Sequence, residues 1–135
     1  MATESRLIPD NIITNKFIED LDIGSDAQWI MERVGIQTRR TTLSLDYIRD
    51  TRNRDPRTAC EACTISRAQA GAAASRMAIA RANLNASDIG MVISGTSTAN
   101  YSIPAEASII ASELDIEAPC FDVNSACSTF VVQLA

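Results

Sequence analysis

Apolar residues at positions 17, 18 and 21 of the segment Asn15–Leu21 recur at helical spacing and predict a short helix. Ser25 and Asp26 then offer N-cap chemistry to Ala27–Val34, and Gly35 is a natural stop, so a second short helix follows. From Ser66 to Asn83 the chain holds eight alanines and no proline, with Arg67, Arg76 and Arg81 leaving an Ala/Met/Ile stripe. This is the strongest helix in the sequence, and its small side chains favour close approach to a neighbour and an interior position. After a polar turn at 85–88, Ile89–Ser94 is an unalternating apolar run, read as a strand buried on both faces and followed by a loop of small residues at 95–99. Pro104 fits the first turn of a helix over 105–114, where Ala107, Ile110, Ala111 and Leu114 share one face. Residues 119–123 make a second strand, and 124–134 read as a turn of small residues entering an apolar helix. Helices alternating with short buried strands indicate an α/β layered unit. Between the early helices and the alanine-rich one, residues 39–57 carry six arginines against Asp46, Asp50 and Asp55. That stretch reads as a polar excursion ended by Pro56, part of an Arg-rich excursion over about 41–65.

Composition narrows the function classes. The 135 residues are 46% hydrophobic but only 4% aromatic, and 12 basic against 17 acidic side chains leave a net charge of −5. This describes one soluble domain, or part of a larger one, whose core is built from small and branched aliphatics. An acidic chain without a long basic run argues against a nucleic-acid surface. The apolar runs 91–93 and 130–132 fall far short of the roughly 20 residues that span a bilayer, and MATESRL lacks the features of a signal peptide. A cytoplasmic location is expected.

The sequence contains no histidine, which excludes a complete Ser–His or Cys–His unit and any His-ligated metal within the chain. Neither a metal nor a cofactor is expected. The cysteines at 60, 63, 120 and 127 are expected to be reduced thiols. Cys60 and Cys63 form a CxxC pair, but it lacks the second, similarly spaced pair of a zinc site, and it does not follow a strand as redox pairs do. They read as two small, half-buried helix residues. Cys127 is different, because it falls at a strand-to-helix junction among Ser125, Ala126 and Ser128. Backbone N–H groups at such a helix start favour a thiolate, and small neighbours permit a sharp turn with room for a substrate carbonyl. A buried structural cysteine is the plain alternative.

Four stretches together resemble β-ketoacyl-acyl carrier protein synthase III, a condensing enzyme of the thiolase superfamily. They are Ile8-Pro9-Asp10-Asn11 through Asn15; Ser25–Ile30 with Arg33-Val34-Gly35-Ile36; Met91–Thr98; and Phe121–Ser128. The second and fourth, in this order and about ninety residues apart, are specific in combination. The resemblance implies that the chain is the N-terminal half of a thiolase-like αβαβα layered fold.

It further implies that Cys127 is the nucleophile, acylated from acyl-CoA and then attacked by the carbanion of a decarboxylated malonyl-type thioester, as in fatty acid or polyketide biosynthesis. Trp29 and Arg33 match the positions where the family stacks the CoA adenine and contacts its phosphate-bearing part. An indole and a guanidinium one helical turn apart suit such a clamp, although an anchoring Trp beside a solvated Arg has the same spacing. Ile103 matches a residue sent across the dimer interface into the partner's acyl pocket, and Thr96 lies in the loop near that pocket. Acyl carrier protein and a second copy of the chain are the implied partners.

The family's catalytic His and Asn belong to its C-terminal half, so the resemblance implies a catalyst completed by residues beyond Ala135. The opening strand is shortened to MATESR, and the Arg-rich excursion exceeds the usual length. Those departures keep two other readings open. One is an acyltransferase, or a relative in secondary metabolism that joins two acyl chains; the other is a non-catalytic partner subunit.

Overall fold

The computed structural model describes residues 11–135. The Ile8-Pro9-Asp10 part of the first matching stretch and the shortened opening strand lie outside the described residues. The chain forms two compact units that divide between Ser66 and Arg67.

In the first unit, strand β1 (Ile12–Thr14) pairs antiparallel with β2 (Thr38–Arg40), with Ile12 opposite Arg40 and Thr14 opposite Thr38. Neither strand is evident in the sequence, because three residues are too few to establish an alternating pattern. Thr14 ends β1 and caps helix α1 (Asn15–Asp20), its hydroxyl accepting from the Phe17 N–H at 3.0 Å. Asp26 caps helix α2 (Ala27–Val34) by accepting from Trp29 N at 2.7 Å. Gly35 closes α2 in the left-handed region at φ 70°, a conformation that costs a side chain dearly and glycine little. Phe17, Ile30, Leu43 and Ala59 are buried. Buried Asn15 is satisfied by donating to Ile36 O at 2.9 Å and accepting from Arg39 at 2.5 Å.

The polar excursion is more ordered than its composition predicts. It holds helix α3 (Leu45–Thr51), capped by Ser44, and helix α4 (Pro56–Glu61), capped by Asp55. Pro56 opens a helix rather than ending the excursion, since a proline at the first helical position forfeits no intrahelical bond. Arg52 and Asn53 turn the chain between the two helices at φ of 54° and 50°.

The second unit comprises helix α5 (Arg67–Arg81), strand β3 (Val92–Gly95), helix α6 (Glu106–Glu113), strand β4 (Cys120–Val123) and helix α7 (Thr129–Leu134). Strands β3 and β4 run parallel, from Val92 opposite Cys120 to Gly95 opposite Val123. Ala68 and Ala72 of α5 pack with Ile110, Ala111, Leu114 and Ile116 to form its core. The expected close approach is present: a Cβ on Gly71 would sit 2.9 Å from Ile110 Cδ1.

Several expectations need correction. Helix α5 buries only one face, through Ala68, Ala72 and Ala73. Strand β3 is half-buried rather than enclosed, because a two-stranded sheet leaves it partly uncovered. Pro104 precedes the helix cap, Ala105, and lies outside the first turn of α6. Cys60 is exposed on α4, whereas Cys63 is half-buried just beyond it. Among the described residues no helix is long and apolar enough to cross a membrane.

Candidate active site

Because β3 and β4 are parallel, the loops that leave their carboxyl ends emerge at the same edge, where open α/β sheets place ligands. One is the turn that carries Cys127, and the other runs from Thr96 to Ala105.

Helix α6 starts at this edge with a cap from the neighbouring strand. Its N-cap residue, Ala105, has no side chain able to accept, and Asp122 of β4 accepts instead from Glu106 N at 2.8 Å and Ala107 N at 2.9 Å. A carboxylate suits this place twice over, filling open donors and facing the positive end of the helix. The capping ties β4 to α6 just upstream of the cysteine turn.

The turn is built from local polar bonds. Asn124 Oδ1 accepts from Ala126 N at 3.1 Å, and Ala126 takes φ 46°, an unusual conformation for a residue with a Cβ. Residues 126–128 form one 3-10 turn, closed by Ser128 N donating to Ser125 O at 2.9 Å. Thr129, the first residue of α7, clamps it: its hydroxyl accepts from Ser125 N at 2.8 Å and donates to Ala126 O at 2.9 Å. Cys127 stands exposed on this fixed turn.

Strand β3 braces the turn from the other side. Gln133 of α7 donates to Ile93 O at 3.1 Å. A Cβ on Gly95 would lie 2.6 Å from Thr129 Cγ2 and 2.5 Å from Gln133 Oε1, so only glycine lets α7 seat here. Thr96 follows directly; it is half-buried, and its hydroxyl accepts from Thr98 N at 3.1 Å. Ile103 is 88% exposed and precedes Pro104 through a cis peptide.

Trp29 and Arg33 both lie on α2 in the first unit, and both are exposed. Trp29 is 50% exposed, which leaves ring surface for a ligand. The other thiols are placed differently from Cys127. Cys63 accepts from Thr42 Oγ1 at 3.2 Å and donates to Ala59 O at 3.3 Å, while Cys120 donates to Ala118 O at 3.1 Å. Sequence reasoning singled out Cys127 but missed Gly95, Asp122 and Thr129, which hold its surroundings. Asp122 two residues past a strand start and Thr129 at a helix start were the available signals.

No protein-family model matches the chain. Curated relatives do. The chain is 29% identical over 139 residues to β-ketoacyl-[acyl-carrier-protein] synthase III of Coxiella burnetii strain CbuK_Q154, covering 95% of this chain and 35% of the relative. Among solved structures, 3-oxoacyl-[acyl-carrier-protein] synthase III of Aquifex aeolicus VF5 superposes with a TM-score of 0.71 at 25% identity, over 94% of this chain and 35% of that one. The chain is similar to synthase III and shares the thiolase fold of these structures. The priming β-ketosynthase of the R1128 polyketide pathway is a further match, with a TM-score of 0.65 at 27% identity over 94% of this chain and 32% of that protein. The chain thus spans about a third of the length of the relatives it matches.

Proposed function

We propose that the chain carries the acyl-accepting part of a thioester-condensing enzyme, with Cys127 as its nucleophile. The observation that supports this best is an exposed thiol on a turn braced by Asn124, Thr129 and, through α7, by β3, in a chain similar to synthase III along nearly its whole length. The Cys127 sulfur attacks the carbonyl of an acyl-CoA, a new C–S bond forms, and the bond to the CoA sulfur breaks, releasing CoA. A malonyl-type thioester then loses carbon dioxide, and its carbanion attacks the acyl carbonyl and returns the thiolate of Cys127. Covalent capture divides one difficult condensation into two easier steps. The sequence contains no histidine, so no imidazole of this chain assists the carbanion step.

Trp29 and Arg33 bind the CoA moiety, the indole stacking on the base and the guanidinium facing phosphate. Ile103 and Thr96 border the acyl chain, with Ile103 serving a second copy of the chain in a homodimer. The 41–65 stretch, α3 and α4 included, is an Arg-rich excursion that follows the CoA-binding helix in sequence. Acyl carrier protein delivers the extender, and the enzyme works in the cytoplasm.

The test is intact-mass detection of an acyl adduct after incubating the whole protein with acyl-CoA. One acyl group should appear on Cys127 and be absent from Cys127→Ala, which still binds CoA. An adduct that survives in Cys127→Ala refutes the assignment.

A further inference from the structure

The 96–105 loop is secured at its midpoint by two side chains that the chemistry above does not use. Glu106, the first residue of α6, is only 3% exposed. Its Oε2 accepts from the backbone N–H of Asn100 at 3.3 Å. Arg67, at the start of α5, donates to the side-chain Oδ1 of the same Asn100. Asn100 is thus held by its main chain from α6 and by its side chain from α5. Beyond it, Tyr101 is 62% exposed and Ile103 is 88% exposed.

Glu106 is an odd residue to bury for the sake of α6 alone. The open donors at that helix start, including the N–H of Glu106 itself, already bond to Asp122. The second carboxyl oxygen, Oε1, is buried with no hydrogen-bond partner among the described residues. An unpaired buried polar atom is a cost to the fold, so the carboxyl opposes the stability of α6 unless its other oxygen has a use. That use is the bond to Asn100.

We propose that Glu106 is the positioning residue of the Ile103 loop, and that by fixing Asn100 it sets which acyl chains the enzyme accepts. The second half of this rests on the assignment of Ile103 to the acyl chain. Glu106 touches no reacting atom; it acts through the loop backbone. With Asn100 anchored, Ile103 stands three residues along in a defined position from which it reaches the acyl chain held by the second copy, and a wall in a fixed position discriminates chain length. With Asn100 free, the loop samples several positions and discrimination falls.

The experiment compares the whole protein with Glu106→Ala and Glu106→Gln. Residue-resolved amide exchange reads the loop, and intact-mass acylation kinetics with a series of acyl-CoA chain lengths read selectivity. In the parent protein the Asn100 amide should exchange more slowly than those of its loop neighbours. Glu106→Ala should speed that exchange about tenfold, the factor one hydrogen bond contributes. It should also raise KM several-fold for the preferred chain and flatten the length profile, while the acylation rate at saturation stays within about twofold. Glu106→Gln keeps an acceptor oxygen for Asn100 and should restore both readouts. An Asn100 amide that exchanges as fast as its neighbours in the parent overturns the proposal, and this needs no variant to fold. Unchanged exchange and length profile in Glu106→Ala also overturn it, as does a Gln variant as impaired as the Ala one. If the parent acquires no acyl group while Asn100 is protected and released as described, the condensing assignment and the selectivity role fail, and the anchoring of the loop stands.

Discussion

Replacing Gly95 with alanine should loosen the cysteine turn from the end of the neighbouring strand. The new Cβ would sit 2.6 Å from Thr129 Cγ2, and 2.5 Å and 2.8 Å from Gln133 Oε1 and Cδ. Carbon atoms in ordinary contact stand about 3.5–4.0 Å apart, so each neighbour must retreat by roughly 1 Å. Gln133 can swing away by giving up its bond to Ile93 O. Thr129 is β-branched, and turning about χ1 would carry its hydroxyl off Ser125 N and Ala126 O, so α7 must shift as a body. Overpacking of this kind costs about 1–3 kcal/mol, against roughly 0.4–1 kcal/mol regained because alanine restricts the unfolded chain more than glycine. A net loss of about 1–2 kcal/mol should appear in urea unfolding of the whole protein, with slower acylation of Cys127 by intact mass. Thr129→Ser removes the clashing methyl and keeps the hydroxyl. The double variant Gly95→Ala/Thr129→Ser should therefore recover stability and acylation beyond additivity, by about 0.5 kcal/mol or more. A Gly95→Ala protein as stable and as readily acylated as the parent refutes the bracing of the turn by β3, and strict additivity refutes its transmission through Thr129.

Trp29→Ala should raise KM for acyl-CoA, since aromatic stacking on a base is worth about 1–3 kcal/mol by alanine substitution, with little change in rate at saturation. Arg33→Ala should act in the same direction and more strongly at low salt, and unchanged CoA affinity in both variants by calorimetry removes the clamp. Glu19 bonds to Lys16 at 2.7 Å and accepts from Ala27 N at 3.0 Å, and these two partners hold its carboxyl below the ordinary glutamate value of 4.5. A depressed folded value means the stabilisation is full above that value and is lost as pH falls through the folded one. The stability gap between the parent and Glu19→Gln should therefore shrink on going from about pH 7 to about pH 3, and a gap independent of pH contradicts the pairing.

The parts of the fold legible in the sequence are those whose signal is local. Asp26 and Gly35 bracket α2 by capping chemistry at adjacent positions, and both ends fall where those residues place them. The α6 face is equally direct, because Ala107, Ile110, Ala111 and Leu114 are all buried. The two helices of the Arg-rich stretch escaped because charge dominated its composition, although Ser44 and Asp55 were cap signals of the same kind as Asp26. Strands β1 and β2 escaped for a different reason, since their pairing brings Ile12 against Arg40 across twenty-eight residues and leaves no periodic trace. The same distinction holds at the candidate site. Cys127 announces itself through its immediate neighbours, whereas Gly95 and Asp122 matter through partners far along the chain, at Thr129 and at Glu106 and Ala107, and Glu106 through a backbone N–H at Asn100 that no side-chain pattern marks.

That difference in range divides the work at the sheet edge. The bonds at the cysteine turn span two to four residues, from Asn124 to Ala126 and from Thr129 back to Ser125 and Ala126. Such bonds close small loops, lose little chain entropy, and hold the thiol in one place whatever the neighbouring loop does. The 96–105 loop is held instead by Glu106 and Arg67, six and thirty-three residues from Asn100. A nucleophile held by its own turn, with a wall supplied by the second copy's 96–105 loop, lets substitutions at the wall alter substrate choice without disturbing the bond-making sulfur. Under the proposed function, changes at Glu106 or Arg67 therefore alter which chains are taken, and changes at Thr129 or Gly95 alter how fast any chain is taken.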